Sequence, residues 1–375
     1  MKNTKKLFAM MLMVLSVFFF ACSDDEKEPL SPESAKTALN NMDDEMVADM
    51  DEMLNSDGFK AMQALNSMDD PFAVYESNTR TSVLPNIEEY LIPFIKTNKT
   101  KSAYEVNEFV FSEWTGTYTW DNEQGLWNPS DIQTDRIILI FPSDTNNMGV
   151  NDATLTIYNY EEQLFVDDYD EYYQPTAISA DLYIGSLKLA EITLSATWAT
   201  DGSPEDLDIS VYLNPFTFSG NLAMGETSAE ANFSILLNTT KIFSVGVDAT
   251  FTDATKETPK KISGYVQYRE IKVSASVNVS NIITIIQEIE AGTSPYTTTE
   301  ELIGAINDEI DAKITKDGAL VADIELEYDS ASESDFPVTV VLVFSDGSSE
   351  PAQPYFEDFV ASIEEFIDFL DIYFS

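Results

Sequence analysis

Residues 178–198 read ISADLYIGSLKLAEITLSATW. Ile178, Ala180, Leu182 and Ile184 alternate with Ser179, Asp181 and Tyr183. Ala190, Ile192, Leu194, Ala196 and Trp198 then alternate with Glu191, Thr193, Ser195 and Thr197. A period of two with one apolar face is the mark of a half-buried strand. Both apolar sets fall on even numbers, so facing residues must sum to an even number. That parity requires an odd loop, such as Gly185-Ser186-Leu187, or a bulge.

The same arithmetic applies downstream. Ala229, Ala231, Phe233, Ile235 and Leu237 are all odd, as are Phe243, Val245, Val247, Ala249 and Phe251. A three-residue loop Asn238-Thr239-Thr240 fits them as a second hairpin. Ile209, Val211 and Leu213 form a strand that Asn214-Pro215 breaks before Phe216 and Phe218 resume. Over 262–279 the phase slips from even (Ile262, Val266, Tyr268) to odd (Ile271, Val273, Ala275, Val277). Either a bulge near Arg269-Glu270 or two separate strands accounts for it. Upstream, Trp114, Gly116, Tyr118 and Trp120 are expected on one strand face, and Arg136 to Phe141 reads as a buried strand.

Helices flank this region. Ser31-Pro32 is an N-cap followed by a first-turn proline. Ala35, Leu39, Met42, Met46, Met50 and Met53 recur at helical spacing, and Gly58 ends or interrupts that helix. Phe59, Met62 and Leu65 begin another, and residues 81–97 a third. A methionine stripe suits an adaptable groove; packing against the sheet is the simpler reading. Ile282, Ile283, Ile286 and Ile289 predict a helix ending near Gly292. Thr298 to Glu301 is a capping box opening the next, with Ile303, Ile306 and Ile310 inward. A hairpin of Ile324–Tyr328 and Phe336–Phe344 and a C-terminal helix from about Tyr355 close the chain. The fold class is therefore α+β: a large antiparallel β-meander of ten or more strands, with N-terminal, late and C-terminal helices packed on it. The segments are 33–100 helical, 105–280 antiparallel β, 281–315 helical and 320–375 hairpin plus helix. No linker divides 33–375, which fits a single domain.

Composition narrows function. The 375 residues hold 66 Asp+Glu against 20 Lys+Arg, no His and one Cys, for a net charge of −46. Phosphate backbones need clustered cations, so nucleic-acid binding is excluded. Without His there is no Ser-His-Asp or Cys-His triad and no His-ligated zinc. One Cys excludes a disulfide framework.

That Cys sits at the end of an address. Lys2, Lys5 and Lys6 precede an apolar run from Leu7 to Phe20, then Ala21 and Cys22. This is a secretory signal over 1–21, followed by an acidic linker over 22–32. Ala21-Cys22, with bulky Phe19 and Phe20 before it, resembles the looser lipobox of Bacteroidota lipoproteins. The resemblance covers about the first thirty residues and implies cleavage before Cys22, lipidation of its sulfur and an outer-membrane location. Cleavage removes three lysines and no acid, which takes the net charge from −46 to −49. Ser23, Asp24, Asp25 and Glu26 resemble the acidic export signal that sends such lipoproteins to the cell surface. Asp329-Ser330-Ala331 resembles the O-glycosylation motif of Bacteroidota exported proteins, with Ser330 as the modified residue.

Chemistry-bearing clusters are sparse. Trp114, Tyr118, Trp120 and Trp127 gather aromatics that could stack on sugar rings; Tyr118 and Trp120 read as core, and Trp127, in a loop before Pro129, as the exposed contact. Asp167, Asp168, Asp170 and Glu171 form an acidic loop, and Asp201, Glu205, Asp206 and Asp208 another. Neither has EF-hand spacing; a solvated loop is the simpler reading of each, calcium is an ion they could bind, and no other cofactor is expected. No phosphate loop or nucleophile elbow occurs. The expectation is a lipid-anchored, surface-exposed, non-catalytic binding or accessory protein with an extracellular glycan or protein partner. A carrier of an apolar ligand, by analogy with the half-barrels of lipoprotein-carrier folds, and a glycan hydrolase using paired carboxylates are the alternatives.

Overall fold

The computed structural model describes residues 27–66, 68, 111–131, 135–144, 149–166, 171–200, 202–329 and 337–357. The segment 81–97, residues 1–26 and the C-terminal helix beyond 357 lie outside them. Among the described residues sixteen strands form one open, mostly antiparallel sheet. In chain order they are β1 (Gly116–Asp121), β2 (Leu126–Asp131), β3 (Ile137–Phe141), β4 (Ala153–Val166), β5 (Glu171–Ile184), β6 (Leu187–Trp198), β7 (Pro204–Leu213) and β8 (Phe216–Met224). Then follow β9 (Ser228–Leu237), β10 (Thr240–Phe251), β11 (Pro259–Tyr268), β12 (Ile271–Val277), β13 (Ile310–Lys316), β14 (Ala319–Tyr328), β15 (Val338–Val343) and β16 (Ser349–Pro351). Spatial order follows chain order from β16 to β3, and β1 then β2 complete the far edge. The pairing of β1 with β3 is parallel, Gly116 opposite Ile137 and Tyr118 opposite Leu139. The helices are α1 (Pro32–Asn40), α2 (Met42–Leu54), α3 (Asp57–Asn66), the short α4 (Phe111–Trp114), α5 (Val279–Glu290) and α6 (Thr299–Asn307).

By contacts the chain separates into two compact units, residues 1–47, 224–232 and 241–363 in the first and residues 48–223, 233–240 and 364–375 in the second.

In the second unit, the opening hairpin solves its parity by a bulge. Ile184 faces Leu187 across the two-residue turn Gly185-Ser186, but Leu182 faces Ala190, so Leu189 is the extra residue. Gly185 has φ +58°, which a two-residue hairpin turn requires and glycine adopts freely. Leu189 and Ala190 are both buried. From there the apolar face is continuous: Ala180 opposite Ile192, Ile192 opposite Val211, and Val211 opposite Phe218. Asn214-Pro215, joined by a cis bond, is a two-residue turn, which explains why the inward set changes from odd in β7 to even in β8. Helix α3 lies on β6 and β7, with Phe59 edge-on to Phe218 at 6.1 Å. Gly58 does not end or interrupt the methionine-stripe helix: α2 stops at Leu54, and Gly58 belongs to α3. It is its second residue, and a Cβ there would stand 2.6 Å from the Asn214 nitrogen and the Leu213 carbonyl carbon. Trp114 closes α4 rather than sharing a strand with Tyr118.

In the first unit, Ser31 caps α1 through Ser34 N–H, as its sequence suggests. The slip over 262–279 is two strands: Tyr268 faces Ile271 across the turn Arg269-Glu270. Ile262, Val277 and Ile310 then share one row, and with Val279, Ile282, Ile286 and Ile306 they form a core under α5 and α6. Thr298 caps α6 by accepting from Glu301 N–H, while the Glu301 carboxylate reaches back to Thr297. Ile310 is not on that helix. It opens β13, so the segment expected to be helical to 315 becomes a strand, paired with β12 through Ile314 opposite Val273.

The odd set of β10 faces half-buried residues of β11, Val245 opposite Val266 and Ala249 opposite Ile262, and is itself half-buried. The buried residues of β10 are Ile242, Ser244 and Gly246 on its other face. There the Tyr265 ring lies so close over Gly246 that a Cβ would meet it at 2.6 Å, and Lys272 Nζ stands 4.6 Å from the ring centre. The expected loop Asn238-Thr239-Thr240 is shorter by one, since β10 begins at Thr240.

Candidate functional site

The second unit presents two chemically distinct sheet faces. Residues that alternate with the core point the other way, and their side chains line up in cross-strand rows. One row holds Tyr158, Ser179, Thr193, Ser210 and Ser219. The next holds Ser195, Asp208 and Asn221. Between them the surface dips into an open depression of about 370 Å³, lined by Thr193, Ser195, Asp208, Ser210, Ser219 and Asn221 together with Leu194, Ile209 and Gly220. Its polar side chains are hydroxyls, one amide and one carboxylate. Such a lining offers both donors and acceptors at low charge.

A charged row borders the depression. Asp181 opposes Glu191, which opposes Tyr212. Lys188 Nζ bridges the two carboxylates, at 2.6 Å from Asp181 Oδ1 and 2.8 Å from Glu191 Oε2. Those two partners hold the ammonium well above the usual lysine range. The Tyr158 hydroxyl donates to Asp181 Oδ2 at 2.9 Å, and this bond raises the phenol's pKa. The row fixes its charges against one another, which leaves the hydroxyl rows as the adaptable part of the face.

The aromatic residues occupy the other face, at the sheet edge. Gly116 and Tyr118 pair with Ile137 and Leu139, whose side chains are core. Trp120 is buried, and its Nε1 has no hydrogen-bond partner among the described residues. Trp127 is not in a loop; it lies in β2 opposite Trp120, half-buried, with its ring edge-on to Trp120 at 5.4 Å and to Phe141 at 6.3 Å. The Tyr118 hydroxyl donates to the Trp114 carbonyl at 2.9 Å, and burial raises the phenol's pKa. Trp120 and Trp127 are thus brought together as an edge cluster.

Glu171 opens β5 opposite Val166, while Asp167, Asp168 and Asp170 lie outside the described residues. Glu205, Asp206 and Asp208 belong to β7, which sends Glu205 to the face opposite Asp206 and Asp208. Cys22, Ser23, Asp24, Asp25, Glu26 and Ser330 also lie outside the described residues. No group of three or more metal-ligating side chains occurs among the described ones. The depression itself was not legible as a site: Thr193, Ser195, Ser210 and Ser219 read in sequence only as the wet positions of alternating strands.

No family model matches the chain, and no curated protein matches it. Among solved structures, a porin-like protein from Bacteroides vulgatus is similar over 51% of this chain and 94% of its own, at 8% identity and a TM-score of 0.19, too low for fold or function to be carried across.

Proposed function

We propose that this chain is a lipid-anchored, non-catalytic binding protein of the outer membrane, displayed at the cell surface, whose polar sheet face takes an extracellular glycan. Cys22 carries the anchor and Ser23–Glu26 the sorting signal. The observation that supports glycan binding is the lining of the depression by Thr193, Ser195, Ser210, Ser219, Asn221 and Asp208. Sugar hydroxyls are both donors and acceptors, and this set pairs them without a strong field. The lining has a single carboxylate, Asp208, whereas glycoside hydrolysis uses two flanking the scissile bond. That favours binding over cleavage. Trp127 at the sheet edge is the second place where a sugar ring could stack.

The test is a glycan array followed by calorimetry on the mature chain with Cys22→Ser. The reading expects a neutral glycan to bind and the double change Ser210→Leu with Ser219→Leu to abolish binding without altering circular dichroism. Retention only on acyl-chain resin would replace this reading with the apolar-ligand carrier. Release of reducing ends from a bound glycan would replace it with the hydrolase. Protease treatment of intact cells checks display: a chain cut only after lysis is not at the surface.

A further inference from the structure

One hydroxyl row of the second unit runs farther than the depression it borders. Across β4 to β8 it reads Tyr158, Ser179, Thr193, Ser210 and Ser219, each opposite the next. Of these, Thr193, Ser210 and Ser219 line the depression, and Ser179 and Tyr158 continue the row beyond it. We propose that the row is a track for a single extended chain of pyranose rings joined by equatorial 1,4-linkages, about one ring to a strand, lying across β4–β8. The proposal rests on the glycan reading given above and names the class of glycan.

Unspent bonding capacity selects this row. Among the described residues, the hydroxyls of Ser179, Thr193, Ser210 and Ser219 make no hydrogen bond within the chain, and all four are half-buried or exposed. The rows beside it are committed or cut short. In the row Asp181, Glu191 and Tyr212, the two carboxylates hold Lys188, and the Tyr212 hydroxyl donates to Asn214 Oδ1 at 3.0 Å. On the other side, the row of Asn221, Asp208 and Ser195 meets Ala177 on β5. Beyond that, the Thr197 hydroxyl donates to Asp206 Oδ2 at 3.4 Å, and the β8 position is Ala223. At the β4 end of the chosen row, the Tyr158 hydroxyl donates to Asp181, and its half-buried ring gives the last sugar an apolar surface.

Geometry sets the linkage. Strands lie about 4.8 Å apart, so the row is roughly 19 Å long. A pyranose linked equatorially at both ends advances by about one strand spacing per ring, which brings successive hydroxyls over successive strands. Axial linkage coils the chain and lifts its rings off the row. Adjacent strands also turn by about 20–25° on average, so a flat crystalline face of glycan leaves the row after a few strands, whereas a single flexible chain follows it. Asp208 beside the row and the net charge of −46 disfavour a chain that bears carboxylates or sulfates.

The experiment is calorimetry on the mature chain carrying Cys22→Ser. The probes are 1,4-β-linked oligomers of glucose, mannose and N-acetylglucosamine, from two to six rings, and 1,4-α-linked glucose oligomers of the same lengths. Within a β-linked series, affinity is expected to rise by about two- to ten-fold per ring up to five rings and then to level, since each strand adds one net hydrogen bond. Ser179 lies outside the depression, so Ser179→Ala is expected to weaken the pentamer by about that factor, to spare the trimer and to leave circular dichroism unaltered. The bulkier Ser179→Leu is expected to stop the rise at three rings. Affinity that levels at two or three rings, or that Ser179→Ala leaves untouched at every length, overturns the track and leaves the depression as a glycan site. Equal or tighter binding of the α-linked series overturns it likewise. If no oligomer binds but the array finds another glycan, the track alone falls; if no glycan binds at all, the glycan reading falls with it.

Discussion

The same substitution in two helices should move stability in opposite directions. Gly58 and Gly304 are both helical, near the start of α3 and inside α6. In an isolated helix, Gly→Ala stabilises by about 1 kcal/mol, since alanine loses less backbone entropy. At Gly304 an added Cβ meets nothing within 4 Å, so that gain should be realised in full. At Gly58 it would stand 2.6 Å from the Asn214 nitrogen and the Leu213 carbonyl carbon, and 2.8 Å from the Leu213 Cα. All three are backbone atoms and cannot rotate away. Gly58 N–H also donates to the Asn214 carbonyl at 3.2 Å, so separating α3 from the β7–β8 turn costs this bond too. Overpacking of this kind costs about 1–3 kcal/mol or more and outweighs the propensity gain. All four tryptophans, Trp114, Trp120, Trp127 and Trp198, lie between residues 48 and 223, so their fluorescence reports the unit that contains Gly58. Net of the helix gain of about 1 kcal/mol the loss is up to about 2 kcal/mol, so with a urea dependence of about 2 kcal/mol per molar Gly58→Ala should lower the fluorescence midpoint by up to roughly 1 M. Gly304→Ala should leave the tryptophan transition in place and raise the midpoint of the first unit, followed by far-ultraviolet dichroism. An unchanged or raised fluorescence midpoint for Gly58→Ala would refute the close approach of α3 to the turn.

The bulge gives a deletion test. Removing Leu189 keeps every pair from Leu182–Ala190 onward, so the protein should stay soluble and lose about 2–5 kcal/mol, as for a buried leucine. Deleting Thr193 instead turns Leu194 and Ala196 to the polar face and should abolish soluble expression; near-ultraviolet dichroism and yield distinguish the two. Asn307 stands in for a strand, its amide donating to the Leu326 carbonyl at 2.9 Å and accepting from Leu326 N–H at 3.0 Å. Asn307→Ala should therefore cost about 1–3 kcal/mol and speed exchange of the Leu326 amide proton, measured by hydrogen exchange. Burial and a hydrogen bond to Glu350 push the Tyr355 phenol up to about 12. The neutral phenol is the favoured form in the fold, so its contribution is complete below about pH 10 and is lost as pH rises through about 12. Urea midpoints between pH 9 and 12 should fall less steeply in Tyr355→Phe than in the parent. Glu350 acts at the other end of the scale: Lys36 and Tyr355 hold its carboxyl below the usual range, so its contribution is present above that range and lost as pH falls through the lowered value.

Much of the sheet was legible because parity is a rigid constraint. Ile178–Ile184 and Ala190–Trp198 demanded an odd loop or a bulge, and the bulge at Leu189 is what the chain uses. The slip near Arg269-Glu270 asked for a bulge or two separate strands, and the chain uses two strands joined by a two-residue turn, which makes facing numbers sum to an odd value. Where alternation failed as a guide, side chains from neighbouring strands had changed what burial meant. Gly246 is buried because the Tyr265 ring lies across it, which no pattern within β10 reveals. Ile310 continued a helical spacing from Ile303 and Ile306, but β12 needed a partner, and pairing with it outweighed three residues of helix phase. Gly58 looked like punctuation because glycine usually is, whereas here its missing Cβ admits a neighbouring backbone.

The site was far less legible, and the reason is physical. A catalytic constellation needs residue types that stand out, and a chain with no His and 66 acids has none that do. The depression on β6–β8 is built from serines and threonines whose outward orientation is what any half-buried strand requires. What makes them a surface of a different kind is register: Thr193, Ser210 and Ser219 come from positions far apart in sequence and align only once the bulge at Leu189 and the two-residue turn at Asn214-Pro215 have set three strands in phase. The devices that keep the apolar face continuous therefore also assemble the hydroxyl rows behind it. A one-residue slip anywhere in β6 would mix the two faces, so the hydroxyl rows depend on the same register that stabilises the sheet.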